Sequence, residues 1–243
     1  MIQLFDLSVQ VEQVSVVADC SVLFDSGKIH VLMGPNGSGK SSLAHAIMGH
    51  PSYQVVQGSI MYNAVDITAV SMMDRAKQGI FLAHQHVVAI PGLQVFRYLH
   101  ELVCLHRNAR VDVDTALGLI RPLLKMVDLS ESVLYRHLYD GFSGGEKKRL
   151  EIVQMLLIQP RCIILDEIDS GLDVDGLSKI AQALLWYKQQ NPDVTMIVIT
   201  HYAALMQYLP ADRVHVMIHK KIVVSSDASL INYIAQNGFE SYV

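Results

Sequence analysis

Gly34-Pro35-Asn36-Gly37-Ser38-Gly39-Lys40-Ser41 is the stretch on which the fold turns. Ile29–Met33 precedes it, an apolar run broken by one histidine, which reads as a strand buried on both faces. Lys40–Met48 follows and reads as a helix, stopped by Gly49-His50-Pro51. GxxxxGK[ST] between a buried strand and a helix has a physical purpose. Its glycines let backbone N–H groups curl around phosphate oxygens, and the helix N-terminus adds a favourable dipole. Gly34, Pro35, Asn36, Gly37, Ser38, Gly39, Lys40, Ser41 and Ser42 are therefore the candidate nucleotide-binding set. Lys40 is expected to reach the β/γ-phosphates and Ser41 to ligate Mg²⁺.

Outward from this loop the chain alternates strands and helices. Ile2–Leu7, Val14–Val17 and Ser21–Phe24 read as short strands, closed by an Asp25-Ser26-Gly27 turn. Gly58–Tyr62 reads as another. Ser71, with Asp74 three residues on, predicts a capped short helix that Gly79 ends, and Ile80–His84 a strand. From about Leu93 to Val127 the period becomes helical. Leu99, Leu102, Val103 and His106 share one face, then Leu117, Ile120, Leu123 and Leu124. This block interrupts a β/α succession, so one domain over 1–243 is expected, with a helical insertion at about 86–150. Ile163–Leu165 and Met196–Ile199 resume buried-strand character. Val214–Ile218 and Ile222–Val224 flank His219-Lys220-Lys221 as a closing hairpin.

Composition narrows the function. The chain has 243 residues, half of them apolar and a net charge of -4, which disfavours disorder and a basic nucleic-acid face. Cys20, Cys104 and Cys162 form no CxxC, so a disulfide framework is not expected and a cytoplasmic setting fits. The uncharged stretches Ser41–Val65 and Val194–Ala211 are too interrupted by polar residues, Gly and Pro for a span of about 20 apolar residues. The chain is expected to be soluble.

Further chemistry lies downstream. Cys162-Ile-Ile-Leu-Asp166-Glu167 is an apolar strand ending in two carboxylates. Asp166 suits the Mg²⁺ shell and Glu167 suits polarising an attacking water; alternatively both merely cap the next turn. Phe142-Ser143-Gly144-Gly145-Glu146 opens an apolar-periodic helix that ends near Gln159-Pro160, with Ser143 as cap and Glu146 reaching back. Bare N–H groups at that positive helix end could also attract a γ-phosphate. His84 and His86 form an HxH pair without further ligands nearby.

The order of these features carries a resemblance. Phosphate loop, Gln85, signature, Asp166-Glu167, Ser170-Gly-Leu-Asp173 and His201 follow one another as in ABC-type ATPase domains, over essentially the whole chain. The resemblance implies an α/β domain with a RecA-like P-loop core, an N-terminal antiparallel β subdomain and an inserted α-helical subdomain. It implies that Gln85 is the Mg²⁺-sensing residue of the Q-loop, and that His201 is a switch on the γ-phosphate. Asp173 then belongs to a loop crossing to a partner protomer. Ser143, Gly144, Gly145 and Glu146 act in trans on ATP held by a second copy. The catalytic set is Glu167, His201 and Lys40; Ser41, Gln85 and Asp166 serve the metal.

Asp140-Gly-Phe-Ser-Gly-Gly-Glu-Lys-Lys-Arg149, Leu165–Asp175, Ile199-Thr-His-Tyr202, Ala89-Ile-Pro-Gly92 and Val214-His-Val-Met217 are further similar to the SufC family. These are the ABC-type ATPases of the SUF iron–sulfur cluster assembly system. That resemblance implies SufB-like and SufD-like soluble scaffold proteins as partners, ATP-dependent homodimerisation, and no nucleic acid or direct membrane insertion. It also suggests Lys147 or Lys148 as a resting-state partner of Glu167, against the alternative of a solvated cationic patch. The chain departs from the family's FxAFQxPxE stretch at His84, His86, Val88 and Ala89, and Val14 and Val16 stand where an adenine-stacking aromatic is usual. A transporter's nucleotide-binding subunit is the competing reading. A DNA-repair ATPase would need coiled-coil insertions for which there is no room.

Overall fold

The computed structural model describes residues 1–85, 87–200, 205–239 and 242. Two compact units are present: Met1–Leu82 with Arg161–Glu167 and Asn191–Val243, and Ala83–Pro160 with Ile168–Gln190. The first contains β1 (Ile2–Val11), β2 (Val14–Phe24), β3 (Ile29–Met33), α1 (Lys40–Met48), β4 (Gln54–Tyr62), β5 (Val65–Asp66) and α2 (Met72–Lys77). β6 (Ile80–Ala83) follows. Then come β7 (Ile90–Gln94), α3 (Val95–Arg107), α4 (Val113–Met126), β8 (His137–Leu138) and α5 (Gly144–Ile158) of the second unit. β9 (Cys162–Asp166), α6 (Val174–Gln190), β10 (Thr195–Ile199), β11 (Arg213–Ile218), β12 (Lys221–Ser226) and α7 (Ser229–Asn237) complete the chain.

One sheet runs β12-β11-β3-β10-β9-β6, with β11, β3, β10 and β9 parallel and β12 antiparallel at its edge. Its central strands β3, β9 and β10 are buried throughout, which is why they read as continuous apolar runs. A second, antiparallel sheet runs β2-β1-β4-β5. Leu4, Phe24, Leu43, Ile47, Ile60, Ile164 and Ile199 share one core that joins both sheets to α1. Burial of each such side chain contributes ~1.5–3 kcal/mol.

The two short strands expected at Val14–Val17 and Ser21–Phe24 are one strand. Asp19 takes a left-handed φ of 43° and kinks β2, and Ser8 Oγ accepts its N–H at 3.1 Å, so the ladder bulges without ending. The closing hairpin turns at His219 and Lys220, both at positive φ, a primed turn made without the usual Asn-Gly.

In the second unit Leu99 and Val103 of α3 and Ile120 and Leu124 of α4 are buried, whereas Leu102, Leu117 and Leu123 are half-buried. His106, expected on the same face, is exposed together with Leu105, because α3 ends at the left-handed Asn108 and its last turn faces solvent.

The histidine interrupting β3 has a partner. His30 Nδ1 lies 3.0 Å from His215 Nε2 of β11, and His215 Nδ1 lies 2.7 Å from Ser225 Oγ of β12. Burial depresses both rings to about 4, against opposing help from Asp25 for each and, for His30, also from Asp212. Above about 6.5 both folded and unfolded rings are neutral and the pair is pH-indifferent. Below it the unfolded chain binds protons that the folded chain refuses until about pH 4, so stability falls across that window. Thermal unfolding followed from pH 7.5 to 4 should show a melting temperature that falls below 6.5 by more in wild type than in an H30N/H215N variant, since the buried Glu151 carboxyl, raised to about 7, acts in the opposite direction in both proteins. An equal pH dependence of the two proteins would refute the neutral pair.

Candidate functional site

The phosphate loop occupies residues 34–41, between β3 and α1. Gly34 sits at φ +152°, and a Cβ there would lie 2.0 Å from the Met217 carbonyl oxygen. Gly39, the N-cap of α1, sits at φ +107°, where a Cβ would lie 2.6 Å from the Val16 carbonyl. Neighbouring backbone therefore closes on both, and only glycine fits. Lys220 donates its N–H to the Ser38 carbonyl at 3.0 Å, so the β11–β12 turn braces the loop. No sequence pattern places Met217 or Lys220 against this loop.

Lys40 is 4% exposed, and its Nζ donates to the Gly34 and Pro35 carbonyls, both at 2.9 Å. Desolvation lowers its ammonium to about 8, with Glu167 and Asp166 pulling the other way. A buried cation held by loop carbonyls gains from an anion at this place. Ser38 Oγ, also buried, has no hydrogen-bond partner among the described residues. Both features fit a phosphate-bearing ligand.

Ser41 Oγ donates to Asp166 Oδ1 at 3.1 Å, so two hard oxygen donors lie side by side, the type Mg²⁺ prefers. Asp166 ends β9 and is 1% exposed. Glu167 follows at φ +49° and gives its N–H to the Ile199 carbonyl at 3.0 Å. Non-glycine residues avoid that region, and held outliers concentrate at functional sites. Lys40, Ser41, Asp166 and Glu167 are thus gathered in the first unit.

Gln85, Ser143–Glu146 and Asp173 belong to the second unit. Ser143 caps α5 in a full capping box: its Oγ accepts the Glu146 N–H at 3.1 Å and Glu146 Oε2 accepts the Ser143 N–H at 2.8 Å. Gln159, at left-handed φ, ends that helix. Asp173 Oδ1 accepts the Gly176 N–H at 2.8 Å, starting α6, and lies 3.7 Å from Arg149 Nη2. Gln85 is held through its backbone: Lys148 Nζ donates to the His84 carbonyl and, at 3.0 Å, to that of Gln85. Glu151 Oε1 accepts the His84 N–H at 2.9 Å, and its other oxygen lies 3.6 Å from Lys148 Nζ. Lys148 is 5% exposed, which excludes it from a solvated cationic patch. Burial pushes the Glu151 carboxyl up to about 7, although Lys148 and the His84 N–H oppose this. No local pattern in the sequence marks Lys148 and Glu151 as buried.

His201 and His86 lie outside the described residues. Val14, near the position usual for an adenine-stacking aromatic, is 63% exposed. Among the described residues no helix is long and apolar enough to cross a membrane, and no group of three or more His, Cys, Asp or Glu could hold a metal ion.

A family model described as ABC transporter matches residues 17–170. The probable ATP-dependent transporter ycf16 of Cyanidium caldarium is 39% identical over 239 residues, spanning 97% of this chain and 93% of that protein. The probable ATP-dependent transporter slr0075 of Synechocystis is 38% identical with the same coverage. Vegetative protein 296 of Bacillus subtilis is 36% identical over 241 residues, spanning 97% of this chain and 90% of that protein. Among solved structures, a dimeric bacterial ABC transporter cassette superposes with a TM-score of 0.83 at 19% identity, covering 93% of this chain and 98% of that one. A dimeric ATP-binding cassette bound to ADP and Pi gives 0.82 at 19% identity with the same coverage. At such identity the likeness is one of fold: an α/β cassette with an antiparallel sheet and a helical subdomain.

Proposed function

Since the chain belongs to the ABC transporter family of ATP-binding cassettes, we propose that it hydrolyses ATP to drive conformational change in a SufBCD-type scaffold for iron–sulfur cluster assembly. The convergence of Lys40, Ser41, Asp166 and Glu167 carries the ATPase part of this reading. The phosphate loop receives the ATP phosphates, Lys40 leaving its carbonyl partners for the anion. Ser41 and Asp166 would hold Mg²⁺, whose charge would offset that of the phosphates, and the family resemblance assigns Gln85 to the same metal. Glu167 orients and deprotonates the attacking water, and His201 contacts the γ-phosphate. Phosphoryl transfer depends chiefly on such positioning and electrostatics.

Ser143, Gly144 and Gly145 complete the site on a second copy, and Asp173 lies in the loop that crosses to it. Two cassettes of like fold are dimeric, which supports the pairing of two copies. Loss of one preorganised donor costs about 10²–10³ in rate. Turnover per protomer is therefore expected to rise steeply with protein concentration, and further with the scaffold partners. Full activity at concentrations where the chain is monomeric would sink the trans arrangement.

The Asp140–Arg149 signature and the Ile90-Pro-Gly92 segment support the SUF assignment and a cytoplasmic location. Two relatives are named probable ATP-dependent transporters, which favours the second reading, the nucleotide-binding subunit of a membrane transporter. Affinity purification of the tagged chain from its source cells separates them. Soluble scaffold proteins are expected; recovery of membrane subunits would replace the SUF reading by the transporter one.

A further inference from the structure

The signature turn contains a conflict of charge. Its glycine N–H groups and the α5 dipole make it an anion receptor, yet its third helical residue is a carboxylate. Hydrogen bonds from Ser143 and Arg136 hold the Glu146 carboxyl below the usual range, although burial pushes it up. It is ionised at neutral pH. An unbalanced negative charge one turn from an arriving phosphate repels it. Glutamine at this place would bring no such charge.

Arg136 stands where this charge can be answered. It lies between the short 3₁₀ turn Glu131–Tyr135 and β8. Its Nη1 donates to Glu146 Oε1 at 2.7 Å, and its Nη2 donates to the Gly141 carbonyl at 2.7 Å and to that of Asp140 at 3.4 Å. The guanidinium carbon lies 3.9 Å from the centroid of the Phe142 ring, within cation–π range. The Arg136 carbonyl accepts the Val95 N–H at 3.0 Å, which ties the base of the side chain to the start of α3. One planar cation therefore grips the carboxylate, two carbonyls and the ring of one seven-residue stretch, Asp140–Glu146. A lysine, a point charge with no plane to stack, cannot make all of these contacts.

We propose that Arg136 is a positioning residue that neutralises Glu146 and so keeps the signature turn receptive to the phosphates of ATP held by a second copy of this chain. The proposal rests on the trans role given to the signature above. Its mark is a specific dependence: the need for Arg136 exists only while residue 146 is charged. A residue that merely buttressed Gly141 and Phe142 would be needed whatever stood at 146.

The test compares Mg-ATP turnover of wild type, R136M, E146Q and R136M/E146Q, with melting temperature as a control for folding. R136M is expected to lose about 10- to 100-fold in turnover. R136M/E146Q is expected to turn over within about twofold of E146Q alone, and R136K to fall between wild type and R136M. A double variant as slow as R136M, or slower, overturns the proposal and leaves a buttress. If R136M does not fold, R136Q, which keeps a donor for the Gly141 carbonyl but carries no charge, replaces it under the same criteria. Wild-type turnover serves as the control for the premise. If it does not depend on protein concentration, the trans reading falls and the proposal with it. If it does depend and E146Q fails to suppress, the Arg136 proposal alone falls.

Discussion

Glu167→Gln is expected to lower ATP turnover by on the order of 10²–10⁴-fold while ATP binding persists. Glutamine matches glutamate in shape and can adopt the same left-handed backbone, which the hydrogen bond from the residue-167 N–H to the Ile199 carbonyl holds in place. Folding is therefore not the variable. What is lost is the carboxylate proposed to take the proton from water. Lys40 and Ser41, proposed to meet the nucleotide, keep their positions, so the proposed ATP-bound dimer should live longer. Single-turnover hydrolysis alongside equilibrium nucleotide binding reads both outcomes. Unchanged hydrolysis would remove Glu167 from the base role.

Arg75→Met is expected to be the most destabilising of these substitutions, by about 3–5 kcal/mol. Arg75 is the one buried residue of α2, at 2% exposure. Its Nη1 donates to the Ala46 and Ile47 carbonyls, both at 2.8 Å, at the end of α1; its Nε donates to Val70 at 2.9 Å and its Nη2 to Thr68 at 2.9 Å. Methionine fills the volume but leaves these four carbonyls without that donor set. Lysine, with one nitrogen, should rescue little. For a chain of this length 1 kcal/mol shifts the melting temperature by about 2–4 °C, so a fall of about 6–20 °C is expected. Because the same α1 carries the phosphate loop at its other end, nucleotide affinity should weaken as well. A melting temperature within 2 °C of wild type would show that the four carbonyls find other partners.

Arg75 also shows where sequence reading stops. Nothing in Met72–Lys77 marks its arginine as interior, since charged residues on a short helix usually face water. Its burial follows from where the end of α1 comes to rest. Lys148 repeats the point: nothing in its helix separates it from a solvated cationic patch, but the descent of the Gln85 segment onto α5 buries it beside Glu151. Arg136 is likewise silent in sequence, because its partners Gly141, Phe142 and Glu146 reach it only through a folded turn. By contrast, Ser71 and Ser143 are legible as caps, because a side-chain cap is complete within four residues.

The sequence by itself determined the phosphate loop, its flanking strand and helix, the strand ending in Asp166-Glu167 and the capped signature helix. Each is a local pattern whose hydrogen bonds or burial are dictated by near neighbours in the chain. Tertiary structure alone decided that Met217 and Lys220 close on the phosphate loop, that Glu167 takes a left-handed backbone, and that His30 meets His215. It also decided which charges are buried. Those outcomes depend on segments far apart in sequence meeting in space, where desolvation sets the energetic stakes, and no local spacing records such a meeting.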